Sequence, residues 1–329
     1  MQKILIIQTA FIGDVVLATA LIEKWHQFFP QDQIDFLVRK GNEGLLVDHP
    51  FLREVLIWDK KENKNKNLFT LLKKIRRKKY DKVINLQRFA ATGLLTGFSK
   101  ATERIGFDKN PFSFLFTKKI AHHFKEGLHE VERNNKLIES FTDSNFNKPK
   151  LYPASENEKQ VLSYIQSPYV CMFPASVWFT KQYPEEKWID LINQMPIQFN
   201  IYLCGGKTDI EMCERIMMKV VNKNVITLAG KLNFLSSAAL MKSAKMNYTN
   251  DSAPLHFASA TDAPVTAIFC STIPEFGFYP ISAKSFIIQT DIPLPCKPCS
   301  LHGLSKCPLG HFKCGYTIET SKLLETLKD

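Results

Sequence analysis

The chain has 329 residues, of which 45% are hydrophobic and 23% charged, with a formal net charge of +11 from 43 Lys and Arg against 32 Asp and Glu. That length exceeds one ordinary core and predicts two domains of roughly 150 residues each, while the absence of any run of about 18 apolar residues argues against a membrane-spanning helix. The positive balance favours anionic partners, and the first apolar run is too short, and too soon broken by Gln8, for a secretory leader, so the chain reads as cytoplasmic.

The opening stretch Ile4-Leu5-Ile6-Ile7 predicts a buried strand over 4–8, and Ile12-Gly13-Asp14-Val15-Val16-Leu17-Ala18-Thr19 predicts a turn running into a helix that continues over 15–29. Further strands are expected over 34–38, 55–57 and 82–86, and helices over 68–78, 90–98 and 128–141. This alternation is that of a parallel sheet covered by helices, in which ligands sit beyond the carboxyl ends of the strands, where Gly13 and Asp14 fall. The Asn and Lys residues over 63–67 read as a loop, and the blurred pattern over 106–127 as a loop near a binding cleft.

Between Lys60 and Lys82 lies a basic amphipathic helix, with Leu68, Leu71, Leu72 and Ile75 on its apolar side. It is either a solvated face or a contact for anionic lipid. No aromatic residue interleaves with the clustered cations Lys73 to Lys79, as a nucleic-acid stacking platform would require, so nucleic acid is not expected as a partner. Arg88, just beyond a strand end, and His129 with Arg133, four apart on the expected helix 128–141, are candidates for an acceptor phosphate or carboxylate, against the alternative of surface or interdomain pairing.

A segment rich in Asn, Ser, Lys and Pro over 142–158 marks the domain boundary. The domains are expected at 1–150 and 151–316, with a terminal helix in 317–329. Strand and helix alternate again: strands over 169–173, 199–203, 225–228, 246–249 and 264–269, helices over 185–195, 210–221, 234–242 and 255–260. Three stretches at strand carboxyl ends carry chemistry. Pro174 to Pro184 contains Ser176 and Lys181, suited to a phosphate. Cys204-Gly205-Gly206-Lys207-Thr208-Asp209 offers two glycines and a carboxylate for ribose hydroxyls, or a plain capped turn. Asn250 to Ala258 opens a helix with Asp251 or Ser252 as its cap and Pro254 in its first turn, whose free amides suit a diphosphate, although an ordinary capped helix has the same look.

Four cysteines crowd the carboxyl end: Cys296, Cys299, Cys307 and Cys314. A C-x2-C pair followed by two more cysteines reads as a structural zinc set or as reduced thiols packed in a loop, with disulfides less expected in the cytosol.

The whole set resembles glycosyltransferase family 9, the bacterial ADP-heptose:lipopolysaccharide heptosyltransferases. The resemblance runs through Thr9 to Leu17, Tyr80 to Gln87, Arg104-Ile105-Gly106, His129 to Asn134, Phe173 to Trp188, Asn250 to Ala258 and the cysteine-rich end. It implies an α/β chain of the GT-B fold, two Rossmann-like domains facing across a cleft, the first for the acceptor and the second for a nucleotide sugar. It implies an inverting transfer, with no metal cofactor required in the chemical step, from ADP-heptose to a lipid-linked core saccharide. The protein would be cytoplasmic and peripheral on the inner face of the inner membrane. Asp14 matches the proposed base. Lys181, Ser176, Asp209, Asp251, Ser252, Ala253 and His256 match donor positions, with Ala253 standing where glycine is usual. Thr9, Gly13, Arg88, His129 and Arg133 form the acceptor-side set. Two other readings stand beside it: a GT-B epimerase acting on a nucleotide sugar, and a basic, zinc-containing protein that binds nucleic acid or a lipid surface.

Overall fold

The computed structural model describes residues 1–123 and 127–328. The chain divides into a unit ending at Tyr152 and a unit beginning at Pro153. Part of the expected loop over 106–127 (residues 124–126) and the final residue of the expected terminal helix lie outside the described residues.

Within the described residues the first unit contains β1 (Lys3–Ile7), β2 (Gln33–Arg39), β3 (Leu52–Trp58), β4 (Lys82–Asn85), β5 (Glu103–Phe107) and β6 (Lys118–Ile120), with α1 (Ile12–Phe28), α2 (Lys64–Lys78), α3 (Ala90–Gly97) and α4 (Glu130–Asn135). The strands are all parallel, in the order β3-β2-β1-β4-β5-β6. β1 is the axis of this sheet: Ile4, Leu5, Ile6 and Ile7 are fully buried, as a strand covered by helices on both faces requires. Leu68, Leu71, Leu72 and Ile75 of α2 pack with Leu5, Leu37, Leu56 and Val83 into one core, at about 1.5–3 kcal/mol for each fully buried side chain.

The second unit contains α5 (Ser155–Val161), β7 (Tyr169–Phe173), α6 (Glu185–Gln194), β8 (Asn200–Leu203), α7 (Ile210–Lys219), β9 (Val225–Thr227), α8 (Phe234–Lys242), β10 (Met246–Asn250), α9 (Ala253–Thr261), β11 (Val265–Phe269), β12 (Ser285–Gln289), α10 (Lys313–Tyr316) and α11 (Thr320–Lys328). Its parallel sheet runs β12-β11-β10-β7-β8-β9. Counted from its own first strand, this is the same order as in the first unit, reached with no recognisable sequence repeat. Leu323 and Leu327 of α11 belong to the core of this unit with Trp188 and Ile192. In each sheet the order reverses beside the first strand, between β1 and β4 and between β7 and β10. Such reversals open a crevice at the carboxyl edge.

Several expectations are corrected. Residues 63–67 are not all loop. Asn63 takes a left-handed conformation and α2 starts at Lys64, about one turn earlier than the apolar spacing indicates. The expected helix over 128–141 shrinks to the six residues of α4, after which the chain continues in turns to about residue 141. β5, β6, β12 and α5 lie where no element was expected.

Candidate active site

At the carboxyl edge of the first sheet, the turn after β1 is held from three sides. Gln87 Nε2, beyond β4, donates to Gln8 Oε1, which also accepts from the Ala10 backbone amide at 3.2 Å. Asn42 Nδ2 donates to the Ala10 carbonyl at 3.0 Å. Lys60 Nζ donates to the carbonyl and the hydroxyl of buried Thr9, at 2.7 and 2.9 Å, while sitting over the Trp58 ring. Burial, with Arg39 and Lys64 adding repulsion, lowers the Lys60 ammonium to about 8.

So fixed, the turn delivers buried Gly13 and half-buried Asp14 to the first turn of α1. Asp14 Oδ2 accepts from the Phe11 amide at 3.1 Å, closing the helix start as an acidic residue there does. The carboxylate thus takes part in capping, the simpler of the two tasks open to it, and does so at the sheet reversal.

α4 packs against α1. His129 is the N-cap of α4 rather than part of its face: Nδ1 accepts from the Val131 amide at 3.2 Å and its own amide donates to Glu132 Oε2 at 2.7 Å. That corrects the expected placement of His129 and Arg133 on one helical face. Arg133 is buried, with Nε donating to Glu130 Oε2 at 2.9 Å and a second nitrogen to the Leu128 carbonyl. Burial lifts the Glu130 carboxyl to about 7; Arg133 and half-buried Arg88 oppose the rise and the charge of Asp14 adds to it. Burial, with Arg88 and Arg133, lowers the neighbouring His122 imidazole to about 4. Asp14, Arg88, His122, Glu130 and Arg133 therefore form one electrostatic cluster. A shallow, open recess adjoins it, with Arg133, Lys136, His122 and Leu128 in its wall.

In the second unit the corresponding reversal is bridged by an ion pair. Lys181 Nζ, from the loop after β7, stands 2.7 Å from Oδ2 of Asp251, from the end of β10. The same oxygen accepts from Thr272 Oγ1 at 2.6 Å, beyond β11. Asn250 ties the two loops below the pair: its side chain donates to the Pro174 carbonyl at 2.8 Å and accepts from the Tyr183 amide at 2.8 Å. Thr180 is a buried hub. Its hydroxyl oxygen accepts from Ser271 Oγ at 2.9 Å and from the Leu304 amide at 2.8 Å, and its own amide donates to the Leu304 carbonyl. Gly303, at φ +82°, lies against the Lys181 stem, where an added Cβ would meet Lys181 Cγ at 2.8 Å.

Ser252 holds the N-cap position of α9 without a side-chain cap bond; its hydroxyl points back to the Asn250 carbonyl at 3.4 Å. Asp251 is engaged with Lys181 and Thr272, and Ala253 and Pro254 begin the helix. His256 is buried on α9, its ring edge toward Phe278. Asp209 Oδ2 accepts from the Gly206 amide at 2.8 Å and Oδ1 from Thr208 Oγ1 at 3.1 Å, so the carboxylate closes its own turn beyond β8. Ser176 is half-buried, its carbonyl held by Gln182 Nε2 at 2.7 Å. Glu130, Thr180, Asn250, Ser271 and Thr272 are absent from the set read in the sequence. Glu130, Thr180 and Asn250 lie in stretches that were singled out, where only burial distinguishes them, whereas Ser271 and Thr272, just beyond β11, lie in none of these stretches.

All four carboxyl-terminal thiols are free. Among the described residues no group of three or more His, Cys, Asp or Glu side chains is placed to hold a metal ion, so a structural zinc is not shown. Cys314 packs into the core, and burial together with its neighbours Cys299, Cys307 and Cys296 raises it to about 11. Cys299 Sγ turns to the Cys296 carbonyl. On α2, Lys74 and Lys78 pair with Glu54, while Lys66, Lys73, Arg77 and Phe69 face outward. No helix among the described residues is long and apolar enough to cross a membrane.

Residues 68–305 match the model of glycosyltransferase family 9 (heptosyltransferase). Lipopolysaccharide heptosyltransferase 1 of Pseudomonas aeruginosa is 24% identical over 323 residues, covering 91% of this chain and 86% of that one. Lipopolysaccharide heptosyltransferase 3 of Escherichia coli K12 is 28% identical over 277 residues, covering 79% and 80%. The structure of E. coli ADP-heptose lps heptosyltransferase II superposes with a TM-score of 0.80 at 21% identity, over 99% of this chain and 97% of that one. This likeness is one of fold, the GT-B architecture of two Rossmann-like units.

Proposed function

The chain belongs to glycosyltransferase family 9, and from that premise we propose that it transfers heptose, or a related sugar, from an ADP-sugar to the core saccharide of a lipopolysaccharide or lipooligosaccharide, with inversion and without a metal cofactor in the chemical step. The observation that carries the reading is the Lys181–Asp251 pair at the reversal of the second sheet, beside the start of α9. A diphosphate arriving there meets a movable cation and a helix N-terminus together.

In this reading the first unit holds the acceptor and the second the donor. An acceptor hydroxyl loses its proton to Asp14 as its oxygen bonds to the anomeric carbon. The bond from that carbon to the diphosphate breaks, and the nucleoside diphosphate departs with the electron pair. Lys181 transfers its ammonium from Asp251 to the departing phosphate, and the amides around Ser252 and Ala253 share the charge. Asp251 then serves as the resting counter-ion of Lys181 and Thr272 as its anchor. Ser176 and Asp209 lie on the flanking loops, within the donor region, and His256 on the helix that starts there. Thr9, Gly13, Arg88, His129 and Arg133 shape the acceptor side, with the arginines suited to an acidic group on the acceptor.

The outward cations of α2 and the exposed Phe69 ring support peripheral contact with an anionic membrane surface from the cytoplasmic side. For the carboxyl-terminal cysteines, metal analysis of the purified protein distinguishes bound zinc from free thiols. The test of the main reading is a thermal-shift comparison of ADP, UDP and GDP, followed by turnover of ADP-heptose with a deacylated core acceptor. A larger shift with ADP, and transfer, is expected. A larger shift with UDP or GDP would redirect the donor assignment.

A further inference from the structure

Glu130 has no role in the reaction as drawn above, yet its carboxyl group is enclosed at the edge that carries the base. The residue is 8% exposed, and its partner Arg133 3%. The Arg133 Nε bond at 2.9 Å orients the guanidinium from within the same short helix. From α1 comes the charge of Asp14, and from the loop after β4 that of Arg88. From the loop after β6 comes His122, an imidazole held neutral near pH 7 by burial and by both arginines.

We propose that Glu130 is a positioning residue for Asp14. Held by Arg133 on α4, which packs against the helix that bears Asp14, its carboxylate orients the Arg133 guanidinium at the acceptor edge and strengthens Asp14 as the base. This rests on the transferase reading given above.

The physical argument is reciprocity. Two nearby carboxylates resist being charged together, and the resistance is shared by both. If the charge of Asp14 makes Glu130 harder to ionise, an ionised Glu130 makes Asp14 readier to take a proton. The environments keep the two tasks apart. Asp14 lies half-buried at a helix start bonded to an amide, whereas Glu130 is enclosed beside Arg133. Such a separation of environments is how one site assigns different tasks to two acids. When Glu130 takes up a proton, Arg133 loses its counter-ion and its charge is left to attract the Asp14 carboxylate, which then competes less well for the acceptor proton. Transfer should therefore rise with pH through the range in which Glu130 ionises.

Two measurements test this. In the full-length protein, carbon-13 NMR of labelled glutamate side chains follows Glu130 in the wild type and in Asp14→Asn. A midpoint near neutrality that falls by about one unit in the variant, a tenfold change in proton affinity, is expected; an unchanged midpoint overturns the proposal. In the turnover assay, Glu130→Gln should lower kcat about tenfold and remove the rising limb near pH 7, while Glu130→Asp keeps that limb. A limb unchanged in Glu130→Gln overturns the role even if the variant is less stable. If no variant and no wild-type protein turns over ADP-heptose, the transferase reading fails, and the NMR arm still decides whether the two acids are coupled.

Discussion

Lys181 Nζ stands 2.7 Å from Asp251 Oδ2, and the two residues lie on the segments that follow the strands on either side of the point where the second sheet reverses its order. The lysine is thus occupied before any ligand arrives, and a phosphate bound to it would compete with a carboxylate that Thr272 already holds. Replacing Lys181 with Met leaves the stem and removes the charge. We expect ADP affinity to fall about 10–100-fold, the range for one hydrogen bond to a charged group. Calorimetric titration with ADP checks it, and an unchanged Kd removes Lys181 from the donor site.

Asp14→Asn should leave the helix start intact, because the Asn carbonyl can still accept from the Phe11 amide. Its proton-accepting capacity is lost. Turnover is expected to drop about 10²–10⁴-fold, with ADP binding within twofold of wild type. Full activity in the variant would leave the carboxylate with capping as its only task.

Thr180→Val tests the hub beneath Lys181. The substitution keeps the shape and strands the Leu304 amide and Ser271 hydroxyl, both of which now donate to Thr180 Oγ1. A stability loss of about 1–3 kcal/mol is expected from the unsatisfied groups, read as a lower urea midpoint. A weaker ADP thermal shift should accompany it, because Lys181 is the next residue.

The first unit should lose stability in mild acid through His49. Burial, with His26 adding repulsion, lowers its imidazole from 6.5 to about 4. A group whose folded value is depressed contributes stability that is present above its unfolded value and lost as pH falls toward the folded one. The window is therefore pH 6.5 down to about 4, and the loss at pH 5 relative to pH 7 is about 2 kcal/mol. Glu23, 3.7 Å away and raised mainly by burial, takes up a proton in the folded state and partly offsets this. His49→Gln should flatten the urea midpoint between pH 7 and pH 5. An equal slope in the variant would place the acid sensitivity elsewhere.

The sequence made the central strands legible because they are buried on both faces. Ile4 to Ile7 and Tyr169 to Phe173 read as unbroken apolar runs. It hid the edges. β6 is Lys118-Lys119-Ile120, with no apolar run to reveal it, and β12, at the equivalent edge of the second sheet, is only half-buried. The loops bearing Lys181 and Asp251 could be found separately, but their pairing across 70 positions depends on strand order, which local spacing does not encode. His129 shows the converse error. Its distance from Arg133 suggested a shared helical face, whereas the chain turns extended at His129 and uses the ring as a cap. Glu130 stood in view within a motif already quoted, and only its burial sets it apart from an ordinary surface acid.

Gly303 presses on the stem of Lys181, with no room for a Cβ and a left-handed backbone that side chains resist. A substitution at one position is therefore felt at the other, 122 residues away. Among homologues the two columns should change together: a side chain at the glycine position should coincide with a shorter residue, or a displaced cation, at the lysine position. Segment 300–304 is then inherited together with the loop that carries Lys181, and exchanging the cysteine-rich end between distant relatives should succeed only when residues 178–181 are exchanged with it.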